Sequence, residues 1–112
     1  MTVLMVALGG AVGAVLRYVA GHLLDDRLHW GTILVNVVGS FLLGVFSGLA
    51  LGDDAAALLG VGLAGALTTY SAFAVQTHDA GVRRGTLVVL LTVPIAVAAC
   101  ALGFVLAAGA QP

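Results

Sequence analysis

Apolar residues run along this chain in four long blocks. The polar ones gather in three short clusters between them, DDR at 25–27, DD at 53–54 and DAGVRR at 79–84. No block carries a polar stripe at helical spacing, as the helices of a soluble bundle would. The blocks predict four membrane-spanning helices at about 3–24, 30–51, 55–77 and 86–109, each near the ~20 residues that cross a bilayer. Connections this short make consecutive helices antiparallel neighbours, so the whole chain, 1–112, reads as a single four-span domain. The first basic residue is Arg17 and further apolar blocks follow it, which favours a first span over a cleaved leader.

Composition sharpens the picture. Hydrophobic residues make up 62% of the 112 and charged ones 8%, against about 25% charged in an average soluble domain. So small a protein has no interior large enough to hide that much apolar surface, and lipid must serve as its solvent. A net charge of −1 with no basic run excludes nucleic acid as a partner, and the lone Cys100 excludes an internal disulfide. Gly9 and Gly13, then Gly44, Gly48 and Gly52, fall at the small-xxx-small spacing that lets helices approach closely in lipid. Arg27, Arg83 and Arg84, with Arg17 toward the same end, place loops one and three in the cytoplasm and both termini outside.

Polar residues inside the spans carry the candidate chemistry. Asn36, Ser40 and Ser47 share one face of the second span. An asparagine there either bonds another helix or lines a wet pathway, and both readings stand. The third span contains GALTTYSAF at 65–73, preceded by Gly60 and Gly62. Glycines and β-branched threonines at one depth predict a helix broken near mid-membrane, where bare carbonyls can hold a cation and hydroxyls can meet an anion. No Asp or Glu lies within a span. Arg17 and His22 sit near the end of the first, where neither suits a proton relay. A passive pathway lined by neutral donors follows, suited to a small anion.

GGAVGAVLRY at 9–18, GTILVNVVGSFLLG at 31–44 and GALTTYSAF at 65–73 together resemble the Fluc, or CrcB, family of fluoride channels, covering three of the four spans in the family's order. The resemblance implies an all-α membrane protein of the plasma membrane that forms an antiparallel, dual-topology-like dimer and exports fluoride passively. It implies that Asn36, Thr69, Tyr70, Ser71 and Phe73 line the fluoride pathway. It also implies that the backbone carbonyls of Gly65 and Thr68 hold a structural sodium ion at the dimer centre, and that Arg17 ends the first motif. Tyr70, Ala72 and Gln76 depart from the phenylalanine, hydroxyl residue and glutamate usual in the third span. The fourth span offers only the hydroxyls of Thr86 and Thr92. These departures, with the arginine bias, point to a heterodimer with a homologous subunit rather than a homodimer. Two rival functions are a small multidrug resistance-type antiporter, which would need an acid in the first span, and a non-conducting structural subunit.

Overall fold

The computed structural model describes residues 1–26 and 29–112. Arg27, part of the loop-one charge, lies outside them. The described chain is helical: α1 (Thr2–Leu24), α2 (Trp30–Gly48), α3 (residues 53–67), α4 (Ser71–Asp79) and α5 (Gly81–Gly109). Four stretches are long and apolar enough to cross a membrane, Thr2–Leu24, Trp30–Gly48, Asp53–Asp79 and Gly81–Gly109. The third of these is the broken one, with α3 and α4 as its two halves. Leu8, Val12, Val15 and Leu16 on α1 and Leu87, Leu90 and Leu91 on α5 lie exposed on the protein's surface. In a bilayer this arrangement carries no hydrophobic penalty.

Two glycine-mated helix pairs organise the molecule, α1 with α3 and α2 with α5. A β-carbon added at Gly9 or Gly13 would land on the Leu58 or Leu63 carbonyl of α3, and one at Gly44 on the Cys100 carbonyl of α5. Added at Gly48, it would lie 2.6 Å from the Phe104 carbonyl. Such faces gain dispersion contact because the backbones nearly touch. Gly52, expected to extend the second stripe, has no neighbour within 4 Å, because α2 ends at Gly48 and the chain has already left the interface.

The connections fix the ends. The Asp25 carboxylate caps α2 by accepting the Thr32 N–H at 3.0 Å and the Thr32 hydroxyl at 3.2 Å. A negative group thus meets the positive end of a helix whose first N–H groups would otherwise lack partners. Between α4 and α5 the chain reverses at Ala80 and Gly81, the latter at φ +82°. That left-handed turn is open to glycine at little cost. It lets α5 begin at Gly81 rather than at the expected 86, so Arg83 and Arg84 sit in the helix's first turn and not in a loop.

In α3 the central nine residues, Ala56–Ala64, are wound wide as a π-helix; the Gly65 N–H reaches back five residues to the Gly60 carbonyl. Such stretches are rare and gather at functional positions. This one leads straight to the break.

Candidate functional site

α3 stops at Leu67, and Thr68 takes an extended conformation with φ −77° and ψ 156°. α4 starts at Ser71. A break in a lipid-embedded helix frees backbone groups that must find other partners. Asn36 on α2 supplies two of them. Its side-chain oxygen accepts the Thr69 N–H at 2.7 Å, and its Nδ2 donates to the Thr69 carbonyl at 3.1 Å. One amide therefore grips both backbone groups of one residue. The interhelical bond that the sequence allows for Asn36 exists, and its target is backbone.

The other partners are local or come from α1. The Thr69 hydroxyl accepts the Ala72 N–H at 3.2 Å, capping α4, and lies 3.5 Å from the Ser71 hydroxyl. The Thr68 hydroxyl donates to the carbonyls of Ala64 at 3.0 Å and Gly65 at 3.3 Å. Across the interface, Arg17 Nη1 makes a long 3.5 Å hydrogen bond to the Thr68 carbonyl. A cation at the closing end of α3 complements the negative pole of its dipole. The break thus sets two opposed poles side by side, the carbonyl end of α3 and the amide end of α4.

Three hollows surround α4, and the nominated residues divide among them. A groove of about 490 Å3 toward α5 is lined by Asn36, Thr69, Tyr70 and Phe73, with Ser40 and Thr92 beside them. A cavity of about 460 Å3 toward α1 is lined by Arg17, Thr69, Ser71, Ala72 and Gln76. A third, of about 220 Å3, lies at the end where loop one meets the α4–α5 turn and is lined by His29, Phe73, Gln76, Asp79 and Arg84. Phe73 borders both the α5 groove and this mouth. Thr69 faces both the groove and the α1 cavity. Ser71 and Arg17 stand apart from Asn36, Tyr70 and Phe73, and Gly65 lines none of the three hollows. Tyr70 is 82% exposed, its ring directed away from the protomer.

Thr92 belongs to the site although no role follows for it from sequence. Its residue is 3% exposed, and its hydroxyl, buried in the groove wall, has no hydrogen-bond partner. An orphaned buried hydroxyl is costly, and this one lies in the wall of the groove that Asn36 and Thr69 also line. The only signal in the sequence was its place as one of two hydroxyls in an otherwise apolar span. Among the described residues no group of three or more His, Cys, Asp or Glu could hold a metal.

Comparison with known proteins gives consistent results. The model of a family described as "CrcB-like protein, Camphor Resistance (CrcB)" matches residues 4–108. A protein of Rhodococcus jostii (strain RHA1) named "Fluoride-specific ion channel FluC 2" is 52% identical over 69% of this chain and 69% of its own. One from Methylobacterium radiotolerans named "Fluoride-specific ion channel FluC" is 39% identical over 96% of this chain and 85% of its own. Another of that name, from Shewanella amazonensis, is 49% identical over 67% of each chain.

Proposed function

The chain belongs to the CrcB family, and from that premise we propose that it is a subunit of a fluoride-selective channel in the plasma membrane, giving passive fluoride export. The observation that carries the reading is the break itself, where neutral donors and the amide pole of α4 face hollows at membrane depth. A bare fluoride ion loses tens of kcal/mol of hydration in an apolar medium. Its path must therefore replace water with many oriented weak donors. The chain's own candidates are the free Nδ2 hydrogen of Asn36, the hydroxyls of Thr69, Ser71 and Thr92, and the positive edge of the Phe73 ring. None of these carries a proton across, so the pathway is one of passive conduction and not of proton-coupled transport.

The groove between α2, the break and α5 is open along one side, and Tyr70 projects from it. A second subunit closing that side would complete the pathway. The uneven arginines and the sparse polar content of α5 favour a homologous partner over a second copy. Gly65 and Thr68 carbonyls suit a sodium ion shared with that subunit. Both are hard oxygen donors, and each accepts one recorded hydrogen bond that leaves a second lone pair. A β-carbon at Gly65 would meet only the Gly60 carbonyl, at 3.8 Å, so that face of the chain is open to approach. When bound, such an ion would add a fixed positive field at the centre without any titratable group.

The test is fluoride efflux from proteoliposomes, followed with an ion-selective electrode, for this chain alone and co-expressed with a homologous subunit. Efflux that excludes chloride and falls with Phe73→Ala or Asn36→Ala supports the reading. Unchanged efflux in both variants, with assembly intact, assigns the chain a non-conducting structural role. Robust efflux from the chain alone removes the case for a distinct partner.

A further inference from the structure

A fourth hollow lies outside the pathway. It is a groove of about 670 Å3 between the start of α2 and the outer face of α5, lined by Trp30, Ile33, Leu87, Leu91 and Ile95, with Arg84 as its one charged residue. Its volume is in the range of small-molecule sites, roughly 300–1,000 Å3. Its walls are aliphatic and aromatic, so it offers no hydrogen bonds along its length. The guanidinium at its mouth takes part in none of the side-chain hydrogen bonds or ion pairs among the described residues. Asp79 and His29 line the neighbouring end cavity together with Arg84, and the Asp79 carboxylate is not within ion-pair distance of it.

We propose that this groove is a binding site for an anionic phospholipid, with one acyl chain along α5 and the phosphate on Arg84. Length supports the assignment. From Arg84 to Ile95 the helix rises roughly 16 Å at ~1.5 Å per residue, close to half of the ~30 Å hydrocarbon core, which is the depth of one leaflet. Charge supports it as well. A lone exposed cation at the polar end of an apolar channel complements a headgroup of net negative charge, and basic pockets beside membrane helices take such headgroups. Trp30, 55% exposed at the same end, is the type of residue that settles at the headgroup level. The apolar walls could not satisfy an extended peptide backbone, and the single cation at the groove's end favours a lipid headgroup over the apolar flank of another helix.

The sole tryptophan of the chain lines the groove, so the protein carries its own reporter. The purified full chain is reconstituted in vesicles of phosphatidylcholine containing a fixed fraction of either dibrominated phosphatidylglycerol or dibrominated phosphatidylcholine, and quenching of Trp30 is measured. Expected is an apparent preference of about fivefold for the phosphatidylglycerol, the scale of one basic residue near a membrane surface. Arg84→Gln should abolish the preference, while the exposed neighbour Arg83→Gln leaves it in place. Equal quenching by both lipids, or a preference that survives Arg84→Gln, overturns the site. Absence of quenching by either lipid shows the groove covered by protein and overturns it equally. Both substitutions are on an exposed surface, and circular dichroism confirms that each variant is folded. The binding readout is independent of fluoride conduction, so the two proposals can fail separately.

Discussion

The two halves of the third span contrast in how they are held. α3 is apolar beyond its opening Asp53 and Asp54, wound wide over Ala56–Ala64, and clasped by the glycine face of α1. α4 has nine residues, none of them buried, and is anchored at its start by the Thr69 cap and, just before it, the Asn36 clamp. Close packing fixes the first half; in the second, hydrogen bonds fix the start, and the far end rests on α5 where Gly85 closes on the Thr77 carbonyl. Packing tolerates no change of volume. Hydrogen bonds tolerate a change of volume and fail when a donor or acceptor is removed.

Substitutions in the two halves should therefore fail differently. The largest effect is expected for Gly9→Leu or Gly13→Leu, whose side chains would displace α3 backbone; a loss of about 3 kcal/mol or more should appear as loss of folded, monodisperse protein. Next comes Asn36→Leu, which keeps volume but leaves the Thr69 N–H and carbonyl without partners. About 2 kcal/mol should be lost in reversible unfolding in mixed micelles, and fluoride efflux should fall with it. Thr69→Val removes the cap while sparing the clamp, for about 1 kcal/mol in the same assay. Thr92→Val is the smallest in stability and the most informative. Deleting an orphaned hydroxyl should leave unfolding unchanged or raise stability by up to ~1 kcal/mol, yet lower efflux if that hydroxyl meets the ion. If Gly13→Leu is mild and Asn36→Leu severe, the contrast between the halves is reversed.

Much of this arrangement was legible in the residues. Charge clusters marked the spans, because charged groups seldom remain in lipid unless paired. Gly60, Gly62 and Gly65 before two threonines marked the break, since those residues hold a helix weakly. Three features were not legible. The wide winding of Ala56–Ala64, in a segment packed against α1, is encoded by no local propensity. The pairing of Asn36 with the backbone of Thr69 joins positions 33 apart in sequence and needs the helices assembled first. The early start of α5 turned on one backbone angle, that of Gly81, and a glycine in a polar cluster reads as loop until that angle is seen.

The Asn36 clamp has one further consequence. It recognises the backbone N–H and carbonyl of one residue and is blind to the side chain between them. The clamp can thus stay constant while the residues that follow position 69 are exchanged. A lining able to vary without dismantling its support is open to gradual retuning. Proline alone is barred from position 69, having no hydrogen to offer the amide.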